Sequence, residues 1–197
     1  MNLSFFLFDW KKYRDYMNYD NEFNASFRVG KKKMPFKLKF ETEYRFVKLY
    51  RKYQANIGNF WGKFYKLKLK IFAKKTGIEC WGNPYFGKGI IIGHWGRIIV
   101  NEHAKFGDNV MLTHGVTIGR DVRGKRQGIP TFGNNIVIRA NSTVVGNINV
   151  GDDVLIAPNT FVNFDVPSHS VVVGNPASIH HRENATEGHI GKVEINE

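Results

Sequence analysis

Cysteine is almost missing from this 197-residue chain. Cys80 is the only one, so no disulfide can close within it, which excludes the small secreted scaffolds held by such bonds. Long apolar runs are missing as well: no stretch nears the roughly 18 to 20 apolar residues that span a bilayer. The Phe5-Phe6-Leu7-Phe8 run is too short for a secretory signal and has no basic segment before it. A soluble protein of a reducing, cytoplasmic compartment is the expectation. There is no Walker loop, no dinucleotide-binding glycine fingerprint and no cluster of metal-ligand type, so no metal is expected. Asn184-Ala185-Thr186 spells a glycosylation sequon, which carries no meaning in a cytosolic protein.

Acidic residues are scarce where basic ones are dense. Residues 1–76 hold 19 Lys and Arg against 6 Asp and Glu, whereas residues 77–197 hold 10 against 11. The whole excess behind the net charge of +12 therefore sits in the first part of the chain. Nucleic acid, an anionic membrane surface or an acidic polysaccharide suit such charge, and a merely solvated helical face is the plain alternative. No nucleic-acid-binding motif accompanies the charge and it lies outside the repeats described next, so no nucleic-acid partner is expected.

From Phe86 onward an aliphatic residue or Phe recurs every six positions, often followed by Gly: Phe86-Gly87, Ile92-Gly93, Ile98-Ile99. The register slips by two, resumes at Phe106, Leu112 and Ile118, breaks over 120–131, and then runs uninterrupted from Phe132 to Val162. Six does not divide into helical turns of about 3.6, plain strand alternation would repeat every two residues with no need of Gly, and sandwiches place turns every 8 to 12 residues or so. Short strands separated by corners fit, three to a coil, with coils stacked at about 4.8 Å. Asn134, Asn135, Asn141, Asn147, Asn149 and Asn159, like the glycines, suit the left-handed backbone that corners need. The fold expected is all-β: a left-handed parallel β-helix of hexapeptide repeats over residues 77–182, with a basic helical extension, residues 1–76, ahead of it. Within that extension Phe60, Phe64, Leu67 and Ile71 mark an amphipathic basic helix, residues 41–54 suggest another, and residues 18–37 read as a loop. Residues 183–197 read as a polar tail, mobile at its end.

Two histidines stand out. His94 follows its lead residue Ile92 by two places, as His114 follows Leu112, and the two are 20 residues apart, one coil plus the slip. If the slip is absorbed near residues 101–105, the imidazoles share a corner on adjacent coils about 5 Å apart. Histidine titrates near neutrality and is the usual general base. An inert surface histidine is the bland alternative. The insertion Arg120–Ile129 carries four positive charges, and such excursions commonly border a site.

The segments Gly87-Lys88-Gly89-Ile90-Ile91-Ile92-Gly93-His94, Gly115-Val116-Thr117-Ile118-Gly119, Asp165-Val166-Pro167 and Gly174-Asn175-Pro176-Ala177 together resemble serine acetyltransferases. They resemble still more the serine acetyltransferase-like O-acetyltransferases of bacterial polysaccharide clusters. The resemblance implies an acetyl-CoA-dependent enzyme, a homotrimer or a dimer of trimers, with sites between neighbouring β-helices. It places His94 as catalytic base and Glu79 as the acid that orients it. Trp95, His114, Lys125 and Arg126 fall on the acceptor side, and Gly119, Ala140, Pro158, Asn163 and Arg182 on the acetyl-CoA side. The departures are informative: Gly93 stands where that family has an aspartate, and Gly128-Ile129-Pro130 replaces an Arg-His-Pro run. The expected reaction is therefore acetylation of a sugar hydroxyl in a surface polysaccharide or its precursor, at the inner membrane face if the basic region docks there. Serine O-acetylation in cysteine biosynthesis is the alternative, and a non-catalytic β-helix binding protein the alternative from another class.

Overall fold

The computed structural model describes residues 3–80 and 82–193. Three α-helices come first: α1 (Trp10–Val29), α2 (Thr42–Ala55) and α3 (Phe60–Thr76). The expected loop over 18–37 is corrected by α1, which runs to Val29. Its start is capped by the Asp9 side chain, which accepts from the Lys12 backbone at 2.9 Å, and its end by Gly30 at φ 63°. Periodicity conceals this helix because Asp20 and Asn24 lie on its inward face, fully buried, beside Met17 and Phe23. The start of the repeats needs those polar groups, since its first coil has no coil beneath it. Asp20 Oδ1 accepts from the backbone N–H of Gly89 (2.7 Å) and Ile90 (3.3 Å), and Asn24 Nδ2 donates to the Ile90 carbonyl (2.8 Å). The helix expected over 41–54 is α2. The one signalled by Phe60, Phe64, Leu67 and Ile71 is α3, although it buries Gly62, Leu69 and Ala73 and leaves those four exposed.

The strands then wind as the six-residue period requires. The first coil comprises β1 (Ile78–Glu79), β2 (Tyr85–Phe86) and β3 (Ile90–Ile92), and the second β4 (Ile98–Val100), β5 (Lys105–Phe106) and β6 (Val110–Leu112). The third holds β7 (Thr117–Gly119), β8 (Thr131–Phe132) and β9 (Ile136–Ile138), and the fourth β10 (Thr143–Val145), β11 (Asn149–Val150) and β12 (Val154–Ile156). The last is β13 (Phe161–Val162) and β14 (Ser170–Gly174), closed by β15 (Ala177–His181) running antiparallel to β14. Like strands of successive coils pair in parallel, giving faces β1-β4-β7-β10-β13, β2-β5-β8-β11 and β3-β6-β9-β12-β14. The two-residue slip is taken up where expected, in a turn closed by Ala104 N donating to Asn101 O.

Inward residues stack in columns. Phe86, Phe106 and Phe132 lie nearly parallel with centroids 4.5 and 4.4 Å apart, and Ile92, Leu112, Ile138, Ile156 and Val172 form another wholly buried file. At the corners Asn135, Asn141 and Asn159 adopt φ of 55°, 61° and 58°, the conformation their short polar side chains tolerate. The described part of the tail packs down: Asp153 accepts from the backbones of Ala185 and Thr186, and Ile190 and Val193 join Phe23 and Ile91. The end of the tail expected to be mobile, residues 194–197, lies outside the described residues.

Candidate active site

His94 leaves the first coil just after β3, at the corner that leads to β4, and its side chain is exposed. The Ile92–Leu112 register sets His114 directly above it, with ring centroids 6.0 Å apart and planes inclined by 64°. The same register continues through Ile138 and Ile156, so Ala140 and Pro158 complete a column above the two imidazoles. Four of the residues singled out in the sequence thus share one corner.

A cavity of about 480 Å³ opens between the C-terminal end of α1 and this corner, lined by His94, Gly93, Thr113, Phe27, Arg28 and Arg139 among others. Both of its fully charged residues are arginines. Arg28 Nη2 donates to the Ile92 carbonyl at 2.7 Å, while its buried Nε has no partner among the described residues. Burial pushes the Arg28 guanidinium below its ordinary value, against the opposing pull of Glu43 and Glu41. Arg139 Nη2 lies 3.0 Å from His189 Nδ1 of the docked tail. Neither arginine was found from sequence. Arg28 was hidden with the C-terminal half of α1, although a basic residue two places before Gly30 is a helix-end signal. Arg139 carries no signal of its own, since only the coil register places it over Thr113 and Gly93.

The other predicted residues stand elsewhere. Trp95, 53% exposed, follows His94, and its backbone N–H reaches Glu43 Oε1 at 3.4 Å. Glu79 on β1 is exposed beside a separate small hollow with Gly82, Ile99 and Glu102, and no hydrogen bond or ion pair joins it to His94 among the described residues. The basic insertion folds into a hairpin through the Asp121–Gly128 bridge and settles on the next coil, where the Arg126 carbonyl accepts from Asn147 N. Arg126 Nη1 is 3.9 Å from Asp165 Oδ2, beyond hydrogen-bond reach, and Lys125 is exposed. This hairpin, Gly119 and Asn163 lie at the far end of the β7 face from the histidines. Register places Gly119 beside Val145, and Asn163 follows Val162, which pairs with Val144. Arg182 sits past β15, exposed. The histidine corner and the group of Gly119, Asn163 and the hairpin therefore lie on opposite edges of one face.

No family model matches the chain. A serine acetyltransferase of Helicobacter pylori is 40% identical to it over 102 residues, 52% of this chain and 60% of the relative. One of Staphylococcus aureus is 41% identical over 106 residues, covering 53% of this chain and 49% of that protein. The solved serine acetyltransferase of Neisseria gonorrhoeae superposes with a TM-score of 0.72 over 87% of this chain and 69% of its own, at 20% identity. Soybean serine acetyltransferase complexed with serine gives 0.72 over 86% and 70%, at 24% identity.

The coils are serine acetyltransferase-like. The solved structures show the fold, and the sequence relatives show a similarity over about half of the chain. The serine acetyltransferase-like chain spans less than two thirds of the two curated relatives' own length.

Proposed function

We propose that this chain transfers an acetyl group from acetyl-CoA to a hydroxyl, with His94 as general base and L-serine as the acceptor its relatives favour. The observation that carries the reading is the exposed His94 imidazole at a cavity between α1 and the coils, in a chain of which 102 residues are 40% identical to a named serine acetyltransferase. A hydroxyl is barely ionised at neutral pH. His94 takes its proton as the oxygen attacks the thioester carbonyl, and returns a proton to the departing thiolate. Arg28 and Arg139 supply the positive field that holds a carboxylate-bearing acceptor such as serine beside that base. Trp95 and His114 border the acceptor, while Ala140 and Pro158 continue the column along which the pantetheine arm lies.

A homotrimer completes the site. Packed side by side, neighbouring β-helices bring Gly119, Asn163 and the Lys125–Arg126 hairpin of one copy toward the histidine corner of the next, where Lys125 and Arg126 border the acceptor. Glu79 is the acid proposed to orient the imidazole, although within one chain it lies in a separate hollow with no bond to His94 among the described residues.

A second reading, a sugar hydroxyl as acceptor, is favoured by Gly93 and by Gly128-Ile129-Pro130. These positions lack the aspartate and the histidine that serine acetyltransferases carry there. One assay separates the readings: thiol release from acetyl-CoA with L-serine and, in parallel, with a panel of sugars and lipid-linked glycans. His94→Ala is expected to slow release about 100-fold or more with the preferred acceptor. A His94→Ala protein with the parent's rate overturns the assignment, and preference for a sugar replaces the first reading by the second.

A further inference from the structure

Helix α3 has two apolar faces, of which the protein uses one. Leu69 and Ala73 are buried on the side toward α2 and β1. At 100° per residue, Phe60, Phe64, Leu67 and Ile71 form a stripe on the opposite side. These four are 43%, 37%, 58% and 50% exposed, where an amphipathic helix ordinarily turns its apolar stripe inward. Phe6, 47% exposed, extends the patch, its ring centroid 5.7 Å from that of Phe60. A contiguous exposed patch of this kind marks an interaction surface.

The charges around the stripe identify its partner. Six lysines and no acidic residue occur among the 17 residues of α3. Lys63, Lys70 and Lys74 run along one side of the stripe, Lys68 and Lys75 along the other, and the Lys68 ammonium lies 4.5 Å from the centre of the Phe64 ring. Beside the stripe, between α2 and α3, is a groove of about 520 Å³ lined by Arg45, Lys48, Lys52, Lys68 and Lys75 without one acidic side chain. None of the five makes an ion pair among the described residues. Burial and the neighbouring Lys52, Lys39 and Arg45 push the Lys48 amine below its ordinary value, as expected of crowded cations without a counter-ion. Ile71 lines the groove and belongs to the stripe, so the apolar and cationic surfaces are continuous.

We propose that α3 lies in the interface of an anionic phospholipid membrane, with its stripe among the upper acyl chains and the α2–α3 groove on lipid phosphates. A helix with an apolar crest and flanking lysines suits that position, its long stems reaching outward while their ammonium groups stay with the headgroups. Pairing with a second copy through this face would set lysines against lysines. Nucleic acid would engage the cations and leave the four apolar side chains in water. The proposal goes beyond the acetyl transfer assigned above and is independent of which hydroxyl is acetylated.

The test is co-sedimentation of the full chain with phosphatidylcholine vesicles, with and without phosphatidylglycerol, at low and high salt. Binding to the anionic vesicles is expected to be roughly tenfold tighter or more, and to weaken as salt rises. The double variant Leu67→Glu/Ile71→Glu, on side chains that are already exposed, is expected to lose that binding. It should keep the parent's helix content, melting temperature, oligomeric state and thiol-release rate in solution. Equal binding to both vesicle types, or undiminished binding by the double variant, overturns the proposal. So does a stripe variant that changes the oligomeric state, since the face would then be a contact between copies.

Discussion

Asp20 on α1 and Arg51 on α2 meet as a fully buried ion pair, with Arg51 Nε 2.6 Å from Asp20 Oδ2 and Nη2 3.1 Å from Oδ1. Each also serves the first coil: Asp20 accepts from Gly89 and Ile90, and Arg51 donates to the carbonyls of Phe86 and Gly87. The pair couples the helical region to the start of the β-helix, and the same helix carries Arg28 to the His94 cavity.

Replacing Asp20 by Ala leaves Arg51 buried without its counter-charge and strips two backbone donors of their acceptor. The expected cost is about 3 to 5 kcal/mol. Urea unfolding followed by circular dichroism measures it, and a loss below about 1 kcal/mol would mean the pair is not what joins helices to coils.

His94 and His114 share a corner but differ in assigned role. His114→Asn is expected to lower kcat less than tenfold or so, with its main effect on the KM of the acceptor, whereas His94→Ala removes the base and takes about 100-fold or more from kcat. Equal kcat losses in the two variants would show that the imidazoles act as a unit.

Gly93 marks the departure from serine acetyltransferases, and its surroundings have closed around it. A Cβ there would stand 2.7 Å from the Met111 methyl and 2.8 Å from Thr113 Cγ2. Gly93→Asp is therefore expected to destabilise by about 1 to 3 kcal/mol, an overpacking cost. Thermal melts should show part of the loss restored by adding Met111→Ala, and a melting point equal to the parent's would mean the corner yields freely.

The docked tail should respond to acid. Burial, then Arg139 and Arg182, holds the His189 imidazolium below its ordinary range. Burial raises the Asp153 carboxyl, but hydrogen bonds from Thr186, Ala185 and His169 outweigh it and leave the group below the usual carboxylate value. Both groups bind fewer protons folded than unfolded, so their stabilisation is complete above the unfolded values and is lost as pH falls through the folded ones. Loosening is expected first below about pH 6.5, from His189, and then below about pH 4, from Asp153. Amide exchange at Ala185 and Thr186 across this range measures it, and His189→Gln should remove the first step alone. Protection that stays flat from neutral pH to pH 3 or so would contradict the account.

Cys80 should be silent in the native protein. It is 1% exposed, and burial, with the Glu79 charge second, pushes its thiol far above the ordinary value. Alkylation is expected only after denaturant is added, because the thiolate is the reactive form. Mass spectrometry of the native protein after treatment with iodoacetamide decides it.

The six-residue recurrence from Phe86 to Val162 by itself determined the coils, their two-residue slip and the stacking of His94 under His114. A solenoid repeats one local rule, so spacing along the chain translates directly into height along the axis. The same spacing left open which residues meet across the molecule. Asp20 and Asn24 broke the apolar period of α1 because they satisfy backbone groups of a coil some 66 to 70 residues further on. Arg28 and Arg139 share a cavity because α1 packs across β3 and because the register lifts Arg139 above Thr113. Glu79 lies in its own hollow, and the basic hairpin sits on the far edge of the β7 face, since one chain folds only its own corners together. The stripe on α3 was visible as a pattern, but whether it faced the core or water was decided only by the packing of Leu69 and Ala73.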